Sequence, residues 1–392
     1  MSKRRVAHAL VAVAVLMGVA TACLPSPDLY VPSTAGGDPG TVLKAYGQTF
    51  DGLDSPYRGR SVQYVSTSTS GEPNVVTGSL YTAKAPWAGP GPRPIIGFAP
   101  GTQGLGDRCA PSQSLPRGTS YEQGVIAALL DKGWAVAVTD YEGLGTPGDH
   151  TYTIRDAGAH AILDLVRAAY DVPDAGFSPD APVTLWGYSL GGQAVGRAGE
   201  IAGAYAPEVD LVGVVAGGVP ADLGDVATNL NGPGNAFFSF LALSAIGLDT
   251  AYPELDLHSY LNDTGRSLLE QAYADGGICL ADGLALAAGL SIEELTTTNP
   301  LAEPAWQARI EEQRVGTGAP TVPVLQFHGT DDQVVPLAVG TELRDAWCAQ
   351  GVAVTFREYP VDHLAGVYSG TADGIAFVDS LASGGTPPAP TC

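Results

Sequence analysis

The sequence predicts an α/β fold: a mostly parallel central sheet with helices on both faces, interrupted once by a helical insertion. Three observations predict it. After residue 58, short β-branched or apolar runs alternate with stretches whose apolar residues recur at three- and four-residue spacing. One long segment, 222–319, breaks that alternation and holds no convincing strand pattern. A Gly-rich serine motif sits where a strand pattern gives way to a helix pattern. With 392 residues and 45% of them apolar, the chain has ample material for a large buried core.

The N-terminal segment reads as targeting sequence. Lys3, Arg4 and Arg5 precede an apolar run over 6–19, and Ala20-Thr21-Ala22 fits a small-x-small cleavage site, so residues 1–22 are expected to be a signal peptide. Cleavage there leaves Cys23 first, at a site resembling a lipobox but with Ala20 where Leu is usual. Lipidation of Cys23 and plain secretion are the two outcomes, and only the first would attach the protein to a membrane. No later window is apolar and long enough to span a bilayer. Without Cys23 the cysteines number four (Cys109, Cys279, Cys348 and Cys392), an even count that suits an oxidising compartment. Their spacing fits no zinc or redox motif, and three pairings are open. A bridge from Cys392 to Cys348 would pin the Ser383-Gly384-Gly385-Thr386-Pro387-Pro388 tail through the shorter loop.

Strand patterns fall at 61–68, 74–82, 94–98, 135–139, 183–186, 211–216, 322–327 and 352–359. Helical patterns fall at 121–131, 156–171, 190–205, 338–350 and 371–382. The second of these is the clearest, with Ile162, Leu165, Val166 and Ala169 in one stripe. The alternation implies a parallel sheet covered on both sides. Residues 23–221 and 320–392 are then two parts of one core, and 222–319 is a helical lid over the C-terminal edge of the sheet.

Gly187-Tyr188-Ser189-Leu190-Gly191 is a GxSxG motif, weak alone in a chain with 51 Gly. Its context strengthens it: Pro182-Val183-Thr184-Leu185-Trp186 reads as a buried strand and the residues after Ser189 as a helix, the setting a nucleophile elbow requires. A serine needs a base, and the base an orienting acid. In the order this fold uses, both should follow Ser189 on loops after later strands. His363, in a loop after the last strand pattern, is the candidate base among six histidines. Asp331 and Asp332, after 322–327, compete as acid, while Asp362 reads as an ordinary loop residue. The oxyanion hole requires two N–H groups. Leu190 supplies one, and Thr102 in the Gly-rich loop 99–106 is the chosen second, with Gln103 or Gly101 as alternatives.

These residues resemble the secretory lipases, the group of yeast lipase A enzymes and their actinobacterial relatives. The likeness runs from Gly40-Thr41-Val42-Leu43 to the C-terminus. It rests on Pro100-Gly101-Thr102-Gln103-Gly104 through Arg108-Cys109-Ala110-Pro111-Ser112, on Thr139-Asp140-Tyr141-Glu142-Gly143-Leu144-Gly145-Thr146-Pro147-Gly148, on the Ser189 elbow, and on His328-Gly329 with Asp332 and the late His363. The resemblance implies an α/β-hydrolase fold, with a helical lid inserted before the acid-bearing strand. It also implies Asp332 as the acid, His363 as the base, and disulfides Cys109–Cys279 and Cys348–Cys392. The sequence departs from the fungal members in one respect, because their oxyanion loop carries an acidic residue where Gly and Gln stand here.

The expected function is hydrolysis of carboxylic esters, foremost triacylglycerols, by an exported monomer that uses no metal and no organic cofactor. A short-chain carboxylesterase or polyester hydrolase shares the same triad. A catalytically silent lipid-binding protein would keep the fold without the chemistry. Nucleic acid is not an expected partner: 19 Lys and Arg against 41 Asp and Glu give a net charge of −22, and phosphate backbones require basic patches.

Overall fold

The computed structural model describes residues 24–52, 55–385 and 387–392. The expected signal peptide and Cys23 lie outside the described residues. Among the described residues, nine strands form one sheet: β1 (Val42–Gln48), β2 (Tyr57–Thr67), β3 (Pro73–Ala83), β4 (Ile95–Ala99), β5 (Ala135–Thr139), β6 (Val183–Tyr188), β7 (Leu211–Gly217), β8 (Val324–Gly329) and β9 (Val354–Tyr359). Their spatial order is β1-β2-β3-β5-β4-β6-β7-β8-β9. The pairs from β5 to β9 are parallel, and β1 to β3 join β5 as an antiparallel extension.

Every residue of β4, β5 and β6 is buried, which explains why these strands read as continuous apolar runs. Within β5 the side chains sort by parity. Ala135 and Ala137 join one core with the helices Arg155–Asp171 and Leu190–Tyr205. Val136 and Val138 join the other, with Gln123–Asp131 and Thr371–Ala382. The predicted stripe holds, since Ile162, Leu165, Val166 and Ala169 are all fully buried.

Outside the insertion, the short helix Pro111–Ser114 and two further elements escape the sequence patterns. β1 lies at the sheet edge with mostly half-buried residues, and Lys44 and Gly47 obscure its alternation. The loop after the last strand is in fact a short helix, His363–Ser369, capped by the Asp362 side chain, which accepts the Ala365 N–H at 2.8 Å. Asp362 is thus a helix cap, and His363 stands at the first turn of a helix.

Between β7 and β8 the chain runs through the helices Leu223–Leu230, Phe238–Ala251, Asp263–Tyr273, Leu280–Ala287 and Pro304–Glu312. Their apolar faces join the first core cluster directly. Both disulfides, Cys109–Cys279 and Cys348–Cys392, are formed. With sequence separations of 170 and 44, they constrain the unfolded chain by about 5 and 4 kcal/mol in the chain-entropy picture. The second bridge also lays the tail along the sheet's last strand, where Thr391 N–H donates to the Val354 carbonyl at 2.6 Å. That contact covers an edge that would otherwise present unpaired backbone groups.

Candidate active site

Ser189 ends the turn between β6 and the helix Leu190–Tyr205, with φ 57° and ψ −119°. A non-Gly residue at positive φ is strained, and the surrounding backbone holds it there. The helix comes so near β4 that a Cβ on Gly191 would stand 1.9 Å from the Ala99 carbonyl oxygen, so only glycine fits. This approach raises the Ser189 hydroxyl above the sheet's C-terminal edge and sets Leu190 at the helix N-terminus, where negative charge is favoured.

The structure brings Ser189, His363 and Asp332 together. Ser189 Oγ lies 3.0 Å from His363 Nε2, and His363 Nδ1 lies 2.7 Å from Asp332 Oδ2. The other carboxylate oxygen, Oδ1, accepts the Val334 and Val335 N–H groups at 2.9 and 2.8 Å. Asp332 is therefore locked in the turn after β8, whereas Asp331 beside it is exposed. Tyr188 braces the histidine from below: its hydroxyl donates to the His363 carbonyl at 2.8 Å, and the two rings lie 5.2 Å apart.

His328 of β8 is fully buried, with Nε2 2.9 Å from the Val335 carbonyl oxygen and 3.5 Å from Asp332 Oδ2. Burial pushes its imidazole below the ordinary histidine range, so it stays neutral and donates Nε2–H to the Val335 carbonyl. It supports the turn that carries Asp332.

The Gly-rich loop follows β4, the third strand pattern but the fourth strand once β1 is counted. Its polar groups are nearly all engaged. The Pro100 carbonyl accepts from Tyr141 Oη at 2.6 Å, and the Thr102 carbonyl accepts from Tyr121 Oη at 3.2 Å. The Gly101 carbonyl accepts Gln103 Nε2 at 3.0 Å, and the Gln103 carbonyl accepts the Leu280 N–H at 2.8 Å. The Thr102 hydroxyl meets Tyr152 Oη at 2.6 Å. Gly101 N–H donates to the Glu122 carboxyl, which removes it as an oxyanion donor. Thr102 N–H and Gln103 N–H are left without a protein acceptor among the described residues. An acidic group does stand at this loop, supplied by Glu122 just before the helix Gln123–Asp131. Sequence spacing could not reveal it.

Ser189 opens into a cavity lined almost entirely by apolar residues of the insertion, among them Leu230, Phe240, Leu241, Leu257, Leu269 and Trp306. Phe240 stands edge-on to His363, with ring centroids 6.3 Å apart. No group of three or more His, Cys, Asp or Glu suited to a metal ion occurs among the described residues.

A mostly parallel sheet with a serine on a strained strand–helix elbow, and helices inserted before the strand that leads into the Asp332 turn, defines an α/β-hydrolase. The chain belongs to the secretory lipase family, which matches residues 110–388. It is 32% identical over 367 residues to a Mycobacterium tuberculosis protein named "probable inactive lipase", covering 87% of this chain and 79% of that one. A secreted triacylglycerol lipase of Malassezia furfur is 31% identical over 266 residues, 63% of this chain and 54% of the fungal protein. Among solved structures, Candida antarctica lipase A in its closed state superposes with a TM-score of 0.81 at 27% identity, covering 92% of this chain and 86% of that one. A mutant of the rice cell wall degrading esterase of Xanthomonas oryzae shares the fold, with a TM-score of 0.75 at 20% identity over 89% of this chain and all of its own. Family and fold together are those of carboxylic ester hydrolases.

Proposed function

We propose that the protein is an exported serine hydrolase that cleaves carboxylic esters, foremost long-chain acylglycerols. The observation that carries this reading is the hydrogen-bonded sequence Ser189 Oγ, His363 Nε2, His363 Nδ1 and Asp332 Oδ2, at 3.0 and 2.7 Å, opening into an apolar cavity. Ser189 Oγ attacks the acyl carbonyl while His363 Nε2 takes its proton. Asp332 keeps the proton on Nδ1 and stabilises the imidazolium that forms. The oxyanion is held by Leu190 N–H and by Thr102 N–H or its unpaired neighbour Gln103 N–H. His363 returns the proton to the leaving alkoxide, which departs as the alcohol. A water activated by the same imidazole then splits the acyl-enzyme, releasing the acid and restoring Ser189.

The segment 222–319 acts as a lid. Its apolar lining suits an acyl chain, and an apolar surface of that extent needs covering in water. Two disulfides and relatives named as secreted support export. The name of the Mycobacterium tuberculosis relative favours a second reading, a silent lipid-binding protein. The test is hydrolysis of an ester series from C2 to C18, including emulsified triacylglycerol, with Ser189→Ala as control. Turnover of long chains, reduced on the order of 10⁶-fold in the mutant, is expected. Short-chain turnover alone would make the protein a carboxylesterase. Folded protein inert towards every ester, with Ser189 resistant to a fluorophosphonate, would establish the silent reading.

A further inference from the structure

Glu122 is a carboxyl group that the triad does not use, buried directly against the loop that faces the nucleophile. It is 2% exposed and makes no ion pair among the described residues. Both of its oxygens lie 3.1 Å from the Gly101 nitrogen, and Oε2 lies 3.3 Å from Gln103 Nε2. The same Gln103 amide closes on the Gly101 carbonyl at 3.0 Å. Glu122 thus fixes the loop at the residues flanking Thr102, and does so without occupying the N–H groups of Thr102 and Gln103.

Building on the serine-hydrolase reading, we propose that Glu122 is the positioning residue of the oxyanion loop. It acts as a neutral acid that holds Gly101 and the Gln103 side chain, so that the Thr102 and Gln103 N–H groups stay free for the tetrahedral oxygen. Two physical arguments support it. A donor shifted by about 1 Å costs on the order of 10²-fold in rate, so a loop rich in glycine needs an external brace. A carboxylate behind that loop would repel the oxyanion, so an uncharged group serves turnover better there. Half-buried Tyr121 and buried Tyr141 are its titratable neighbours; both are held neutral, and they offer it no positive charge. Desolvation accordingly raises the Glu122 carboxyl to about 8.

The experiment is steady-state hydrolysis of a soluble p-nitrophenyl butyrate by the full protein, from pH 5.5 to 9.5, for wild type, Glu122→Ala, Glu122→Gln and Ser189→Ala. Glu122→Ala is expected to lower kcat by roughly 10- to 100-fold with KM changed less than about threefold. Wild type is expected to lose kcat above about pH 8, and Glu122→Gln to keep the wild-type kcat of pH 7 without that fall. Glu122→Ala with wild-type kcat, Glu122→Gln as impaired as Glu122→Ala, or superimposable pH profiles for wild type and Glu122→Gln would each overturn the proposal. The last comparison holds even if Glu122→Ala fails to fold. Wild-type activity that survives in Ser189→Ala, or is absent altogether, would overturn the serine-hydrolase reading and this inference with it.

Discussion

Leu280 N–H donates to the Gln103 carbonyl at 2.8 Å, a hydrogen bond that joins the inserted helices to the Gly-rich loop beside Ser189. It is one rung of a small ladder. Leu105 N–H donates to the Ile278 carbonyl at 2.9 Å, and Cys279 is bonded to Cys109 three residues beyond Gly106. Gly104, at φ 126°, is where the two segments touch, since a Cβ there would lie 2.3 Å from the Ile278 oxygen. The loop is therefore held by the core through Glu122 and by the insertion through this ladder.

Replacing both Cys109 and Cys279 by Ser should therefore lower stability and turnover together. The chain-entropy estimate gives about 5 kcal/mol for the 170-residue separation. At temperatures where the variant remains folded, kcat on a soluble ester should drop several-fold. Replacing Cys348 and Cys392, remote from Ser189, should cost stability with kcat retained. Chemical denaturation combined with steady-state kinetics checks both, and equal kcat losses in the two variants would refute the coupling.

Asp332 and Asp331 should differ sharply. Asp332→Asn keeps the shape but turns the imidazole to the wrong tautomer, with an expected loss on the order of 10⁴-fold in kcat. Asp331 is exposed and bonds through its backbone N–H to the Val361 carbonyl at 3.2 Å, so Asp331→Asn should leave kcat within about twofold. Parallel kinetics on the two variants distinguishes them.

The buried carboxyls also set a pH dependence of stability. Glu122 is raised to about 8 and Asp140 to about 6, both chiefly by desolvation. His150 is lowered to about 4 by the same cause. Between pH 4 and 6.5 the unfolded chain holds a proton that folded His150 lacks, so this group favours folding as pH rises, while Asp140 and Glu122 oppose it. Above the ordinary histidine range only Glu122 of these three still holds a proton that the unfolded chain has lost. Its contribution makes stability fall as pH rises from about 6.5 to 8. Thermal melts should show a lower Tm across that interval in wild type, and Glu122→Gln should flatten the slope. Parallel slopes would count against the assignment.

Net charge should govern adsorption to substrate. At −22 the protein is repelled by anionic emulsions, and screening shortens that repulsion to about 8 Å at physiological ionic strength. Activity on anionic emulsions should rise with added salt, while activity on a soluble neutral ester stays flat. A salt-independent emulsion rate would contradict this.

The sequence by itself makes legible eight of the nine strands, the insertion at 222–319, and Ser189 and His363 as candidates with an aspartate between them in chain order. Each of these rests on local pattern: buried strands are continuous apolar runs, helices carry a stripe, and an elbow needs its glycines within a few residues. β1 was missed because an edge strand buries too little to impose such a pattern. The helix at His363 was missed because it is only seven residues long, its main local signal the Asp362 cap. The residue patterns leave Asp331 and Asp332 as rivals and the resemblance favours Asp332; the tertiary structure sets Asp332 against His363, with Oδ1 held by the Val334 and Val335 N–H groups, and brings Glu122 under Gly101. It also set Leu280 against Gln103. These are contacts between segments remote in sequence or choices between adjacent residues, and no periodicity encodes them. They arise because a buried polar group must find a partner wherever the packed chain happens to offer one.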